Sequence, residues 1–197
     1  MRKTTSASEI AEFKKQYENI SGLPIPDSFF ENAKTYIFQK NGKIVGGFIL
    51  SNKRPLRTLE LFTQSKNLRK KINTLQHSFI TEVCCFWIDR RYRKNKLFSI
   101  QVWIQMAAEV SRQKEEYILY GTNSKGLAKM YGYPKYSILL NKELIGNNLN
   151  YIFIVERKNF LTGTLMIIHS KIKRVSISPN IINNHQIEKS IYNELSI

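Results

Sequence analysis

The sequence predicts a single α/β domain, and three observations carry that expectation. Its 197 residues suit one domain and can bury a proper core. Its 42% apolar content, 12% aromatics and lack of any long low-complexity tract describe a globular, soluble chain rather than a disordered or fibrous one. Strand-type and helix-type segments alternate along it, which favours helices layered on a sheet.

Taken in order, Ser8 caps a predicted helix of about three turns with Ile10, Phe13 and Tyr17 on one face, stopped by the stretch Ser21 to Pro26. Two β-type runs, Thr35 to Lys40 and Lys43 to Leu50, flank Asn41-Gly42, the pair favoured in a type I′ turn, and predict a hairpin. Arg57 to Phe62 reads as a further strand and Ser65 to His77 as a helix. Phe79 to Ile88 is a dense apolar strand interrupted by Glu82. The basic run Asp89 to Lys96 then leads into a long helix whose face is lined by Leu97, Ile100, Ile104 and Ala108, with Trp103, Met106 and Val110 beside it.

A second β-α-β passage follows: strand Tyr117 to Tyr120, short helix Asn123 to Met130 ended by Gly132, strand Tyr136 to Leu140. Tyr151 to Val155 is another strand. Periodicity leaves Phe160 to Ile168 open between helix and strand, and the last strand of the sheet is the preferred reading. The C-terminal stretch, with Ser178-Pro179, Asn183-Asn184 and mixed charges, is expected to be peripheral.

Thirty-one Lys and Arg against fifteen Asp and Glu leave a formal charge of +16, which attracts polyanions in a salt-sensitive way. Coenzyme A, an acidic protein, nucleic acid and a membrane surface all fit that charge, as does a merely solvated exterior. Met1 to Ala11 holds no apolar signal region, and the runs Ile44 to Leu50 and Leu165 to Ile168 are too short to span a bilayer, so the expected location is cytoplasmic. Cys84 and Cys85 are adjacent, and neighbours on a regular strand point to opposite faces, so free thiols in a reducing compartment are expected. His77, His169 and His185 stand singly, no Cys or His pair has ligand spacing, and no metal is expected.

Among the acidic residues Glu82 stands out. A protonated amine, with a pKa of about 10.4, must lose a proton before it can act as a nucleophile. A carboxyl set among Val83, Cys85, Phe86 and Trp87 would have its pKa raised toward a base's useful range. Either Glu82 serves as that base, or it pairs with a Lys or Arg of a neighbouring strand.

The order helix, hairpin, strand, helix, Glu-bearing strand, basic loop, long helix, strand, short helix, Gly-aromatic, strand resembles the GNAT N-acetyltransferase superfamily over roughly residues 8 to 142. Three stretches carry the resemblance. Gln39 to Gly47 looks like the family's early hairpin. Phe79 to Met106 looks like its coenzyme A motif, a strand ending at a loop of pattern Arg/Gln-x-x-Gly-x-Gly/Ala before a helix. Arg93 takes the Arg/Gln position, while Lys96 and Phe98 stand where the glycines belong. Asn123 to Tyr133 looks like the C-terminal motif, with Gly132-Tyr133 in the Gly-Phe place.

The resemblance implies a mixed, mostly antiparallel central sheet flanked by helices, with a V-shaped splay between the two central strands. Residues 1–150 would form the acyltransferase core, and 151–197 would add C-terminal strand and an extension packed on the same domain. It further implies direct attack of an amine acceptor on the thioester of acetyl-CoA or another acyl-CoA, with no covalent enzyme intermediate. The cofactor would lie along Phe86, Trp87 and Ile88, the loop and helix start at Arg93, Lys94, Asn95, Lys96, Leu97 and Phe98, and Asn123. There, helix N–H groups and dipole meet the pyrophosphate. Glu82 lies eleven residues before Arg93, the spacing of the family's glutamate base. The family's thiolate-protonating tyrosine falls on Ala128, which leaves Tyr131 and Tyr133 as substitutes or as ordinary aromatics.

Other readings compete. With the motif glycines replaced and the surface basic, an acidic acyl carrier protein could deliver a longer chain, which an apolar tunnel beside the central strand would support. A GNAT-shaped module without catalysis could bind nucleic acid or an acidic partner through Arg90, Arg91, Tyr92, Arg93 and Lys94. A membrane-surface role would rest on Phe160 to Ile168 between Lys158 and Lys171, Lys173 and Arg174. An acyl-cysteine route through Cys84 or Cys85 lacks a group to ionise the thiol.

Overall fold

A computed structural model of the chain describes residues 1–54, 56–61, 70, 79–132, 137–145 and 148–173. A short strand β1 (Arg2–Thr4) precedes helices α1 (Ala7–Ser21) and α2 (Asp27–Glu31), then the hairpin β2 (Lys34–Lys40) and β3 (Lys43–Ser51). Helix α3 (Arg57–Leu61) comes before strand β4 (Ile80–Ile88), and a single turn, α4 (Arg90–Arg93), leads into the long helix α5 (Lys96–Ser111). Strand β5 (Tyr117–Thr122), helix α6 (Lys125–Tyr131), strands β6 (Ser137–Ile145) and β7 (Asn148–Glu156), and helix α7 (Arg157–Lys173) complete the fold.

The strands form one seven-stranded sheet in the order β1-β2-β3-β4-β5-β7-β6. Every pair is antiparallel except β4 and β5. That parallel pair runs only from Ile80 against Tyr117 to Val83 against Tyr120. Beyond Val83, β4 continues to Ile88 with no described strand on that edge, which is the predicted V-shaped splay.

The two faces of the sheet bury different clusters. On one, Phe48, Leu50, Val83, Ile118 and Phe153 pack under α5 and α7, joined by Val102, Trp103, Met106 and Val110. On the other, Ile37, Ile49, Cys85 and Trp87 meet Phe13 and Tyr17 of α1. Gly47 permits this second contact: a Cβ there would fall 2.3 Å from the Tyr36 carbonyl and 2.7 Å from the Phe13 ring.

The hairpin turn is as predicted, with φ of 51° at Asn41 and 74° at Gly42, both positive as a type I′ turn requires. Other segments depart from expectation for identifiable reasons. Ser8 lies inside α1, and Ser6 precedes the helix with extended backbone. Arg57 to Leu61 is helix rather than strand, because a buried carboxylate 25 residues onward accepts its first N–H groups. The basic run holds the turn α4, fastened by Asp89, whose side chain accepts from Arg91 N.

In α5 the buried face is Val102, Trp103, Met106, Ala107 and Val110, while Leu97 is 80% exposed. The sheet lies toward the second group that the sequence offered, not the first. Phe160 to Ile168 belongs to α7 and not to a last strand, and Phe160, Thr164, Ile167 and Ile168 recur at helical spacing toward the core. The predicted helix from Ser65 to His77, apart from Lys70, and the C-terminal stretch beyond Lys173 lie outside the described residues. No helix among the described residues is long and apolar enough to cross a membrane.

Candidate active site

Where β4 and β5 part, the molecule holds a cavity of about 510 Å³ that reaches both faces of the sheet. A bulge in β4 shapes it. Gly47 pairs with Trp87 and Ile49 with Cys84, so β4 spends one residue more than β3 over this span. Cys85 takes up the excess in a left-handed conformation with φ of 53°. The bulge puts Cys84 and Cys85 together on the α1 side instead of on opposite faces, and turns Phe86 to the α5 side. Both cysteines are free, and burial pushes the Cys84 thiol well above its ordinary value.

On the α5 and α7 side the wall is apolar and aromatic. Phe86 packs 5.2 Å from Trp103, and Trp103 lies 5.9 Å from Tyr131. Met106, Phe160, Gly163 and Ile167 continue the lining. Tyr120 shares a 2.6 Å hydrogen bond with Ser137. Burial holds the Tyr120 and Tyr131 hydroxyls far above the normal tyrosine range, so both are weak acids.

Across the sheet the lining changes character. Tyr17, Arg57, Cys84, Cys85 and Trp87 face the cavity there. Arg57 is only 4% exposed and its guanidinium lies 5.7 Å over the Tyr17 ring. The Tyr17 hydroxyl is pushed up to about 12, chiefly by burial. Arg57 Nη2 and Trp87 Nε1 are buried and have no hydrogen-bond partner.

Glu82, expected as the base, has a different setting. It is fully buried and does not line the cavity. Its Oε2 accepts from Arg57 N at 2.8 Å, and its Oε1 accepts from Thr58 N at 2.5 Å and from the Thr58 hydroxyl. Burial raises its pKa, opposed by those three hydrogen bonds and by the charge of Arg57. The geometry is that of a carboxyl seating the start of α3, which carries Arg57 into the cavity.

The third feature is the mouth beside the α5 N-terminus. Arg93 lines the cavity, and its Nε donates to the Ile88 carbonyl at 2.6 Å, tying the loop to the strand end. Asn95 caps α5 by accepting from Phe98 N at 3.0 Å, so one of the N–H groups a pyrophosphate would use is already occupied. Phe98 turns inward, 5.6 Å from Tyr92 and 6.5 Å from Phe38. Lys94 and Lys96 are exposed beside Arg90 and Arg91.

Of the residues singled out from the sequence, Phe86, Trp87, Ile88, Arg93, Asn123 and Tyr131 line the cavity. Lys94, Asn95, Lys96, Leu97 and Phe98 are not among the lining residues, and Tyr133 lies outside the described residues. Sequence reasoning missed Arg57, Ser99, Phe160, Gly163 and Ile167, all of which line it. The helical spacing of Phe160, Thr164 and Ile167 was a readable signal, whereas nothing local marked Arg57. No group of three or more His, Cys, Asp or Glu able to hold a metal occurs among the described residues.

No family model matches the chain, and neither does the sequence of any curated protein. Solved structures do match. FeeM, an N-acyl amino acid synthase from uncultured soil microbes, superposes with a TM-score of 0.62 at 11% identity, over 84% of this chain and 94% of its own. BjaI, a CoA-dependent acyl-homoserine lactone synthase with SAM and isopentyl-CoA, gives 0.56 at 13% identity, over 94% and 93%. The chain has the GNAT-like acyltransferase fold. A GNAT-family acetyltransferase structure from Desulfovibrio desulfuricans also matches, at 0.53 and 7% identity, over 79% of this chain and 97% of that one. The mostly antiparallel sheet flanked by helices is thus a shared architecture.

Proposed function

We propose that this chain is an N-acyltransferase that takes an acyl chain longer than acetyl from a thioester donor and places it on an amine. The observation that carries the reading is the apolar wall of the cavity on the α5 and α7 side, which extends past β4 from Phe86 to Phe160 and Ile167. An acetyl group has no use for such a wall, whereas each buried methylene of a longer chain contributes about 0.8 kcal/mol. In this reading the donor's arm lies along the open edge of β4, and its acyl chain enters between Trp103, Met106 and Tyr131.

The step needs no enzyme-bound intermediate. The amine nitrogen attacks the thioester carbonyl carbon, the carbon–sulfur bond breaks, and an amide forms. The proton lost by nitrogen ends on the departing thiolate, so the products are an amide and a thiol. Backbone N–H groups on the unpaired edge of β4 polarise the carbonyl. Cys84, its thiol kept protonated by burial, does not compete as nucleophile. No Asp, Glu or His is among the described residues lining the cavity, so the amine reacts from its neutral fraction.

At the mouth, Lys96 and Phe98 replace the motif glycines, and Asn95 already caps α5. The exposed Arg90, Arg91, Lys94 and Lys96 fit an acidic surface as well as a nucleotide, so a carrier-protein thioester is the second donor to test. Calorimetric titration with acetyl-CoA, decanoyl-CoA and a decanoyl carrier protein tests both. Tighter binding of either decanoyl donor than of acetyl-CoA supports the proposal, and equal or absent binding of all three contradicts it.

A further inference from the structure

The α1 lobe of the cavity holds two buried polar atoms with nothing to bond, Arg57 Nη2 and Trp87 Nε1. Both belong to side chains that can only donate. Both side chains line the same cavity and are 4% exposed. Leaving such donors unsatisfied is costly, and more so for a charged group. The Glu82 charge acts on Arg57 and the Tyr17 hydroxyl bonds its side chain, but the Glu82 oxygens accept from the Arg57 and Thr58 backbone N–H groups and the Thr58 hydroxyl, which leaves Nη2 without a partner.

We propose that this lobe holds the carboxylate of the acceptor, and that the acceptor is therefore an amino acid with a free carboxylate beside its reacting amine. The proposal rests on the acyl-transfer reading above and names the substrate for it. A planar carboxylate supplies two acceptor oxygens for the orphaned donors, and a guanidinium presents its donors in matching geometry. Trp87 follows Phe86 on β4, beside the apolar wall, so a carboxylate held on the α1 side leaves its neighbouring amine next to the open edge of the strand. A donor phosphate is the poorer match. Arg57 is enclosed on the α1 face, whereas the exposed cations of α4 and α5 stand at the mouth on the α5 side.

The test titrates the full chain with each common protein amino acid, its carboxamide and the matching decarboxylated amine, with inorganic phosphate as a further probe. Wild type, Arg57→Met, Arg57→Lys and Trp87→Phe are compared, each first checked for folding by circular dichroism. At least one free amino acid should bind while its amide and amine do not, and Arg57→Met should weaken that binding by about 10- to 100-fold. Trp87→Phe keeps the ring and loses one donor, so it should cause a smaller loss and keeps the test alive if Arg57→Met does not fold.

Equal binding of acid and amide, binding of no amino acid, a preference for phosphate, or an unchanged preference in the Arg57 and Trp87 variants would overturn the proposal. Decanoyl-CoA and the decanoyl carrier protein titrated in parallel separate the two readings. Thioester binding without carboxylate preference sinks this inference alone, and carboxylate binding with neither thioester bound sinks the acyl-transfer reading and leaves the lobe a carboxylate site only.

Discussion

The two halves of β4 teach different lessons although they are one continuous strand. From Ile80 to Val83 the strand pairs with β5, Glu82 and Val83 pair with β3 as well, and Glu82 has its carboxyl oxygens occupied by backbone and hydroxyl donors. From Cys84 to Ile88 one edge is open, the backbone bulges at Cys85, and side chains on both faces line a cavity. The polar residue that drew attention in the sequence sits in the paired half, while Trp87, with its orphaned Nε1, and Phe86 of the apolar wall belong to the open half. We read a carboxyl inside such a hydrogen-bond set as positioning α3, and substitution of Glu82 decides between that role and a base.

Breaking the paired half should have the largest effect on stability. Glu82→Ala leaves three buried donors without an acceptor and should cost about 3 kcal/mol or more, read by denaturant unfolding. In the milder Glu82→Gln, turnover per folded molecule at saturating acceptor should fall far less than the 10²- to 10⁴-fold typical of a lost general base. A loss in that range with stability intact would assign Glu82 the role of base.

The same residue makes a pH prediction. Its folded-state pKa is raised above the ordinary 4.5, so the unfolded chain releases this proton first as pH climbs. Stability contributed by the protonated carboxyl is fully present below 4.5 and is lost as pH rises through the folded value. Unfolding midpoints measured across acid to neutral pH should show that decline in wild type and a flatter profile in Glu82→Gln.

In the open half, the bulge discriminates between adjacent cysteines. Cys85→Val forces a β-branched residue into the left-handed region and should destabilise by about 1–3 kcal/mol, whereas Cys84→Val should cost less. Equal losses in thermal unfolding would mean that the left-handed turn at Cys85 carries no strain.

A smaller effect, on specificity alone, is expected from Gly163→Leu. It removes a known helix weakness and fills the apolar wall, so kcat/KM for a decanoyl donor should drop at least about tenfold relative to a short one. An unchanged ratio would place the chain elsewhere.

Much of this fold was legible because its signals are local. Asn41-Gly42 specifies its own turn, and the apolar run ending at Ile88, followed by cations and a long helix, needs no distant partner to be read. Helix α3 was illegible for the opposite reason: Arg57-Thr58-Leu59-Glu60-Leu61 alternates like a strand, and what makes it helical is a carboxyl on β4. The bulge also escaped, since it is a property of β3 and β4 together. The candidate site was readable where it lies on β4 and at Arg93. It was hidden where it depends on α7 folding back over the sheet or on α3 delivering Arg57.

The most direct test of the central claim is to label the protein with decanoyl-CoA bearing a photoreactive diazirine at the far end of its chain and to map the adducts by mass spectrometry. The account predicts crosslinks concentrated on Trp103, Met106, Phe160 and Ile167, the wall between α5 and α7. Adducts scattered over the exposed surface, with none on those residues, would contradict it.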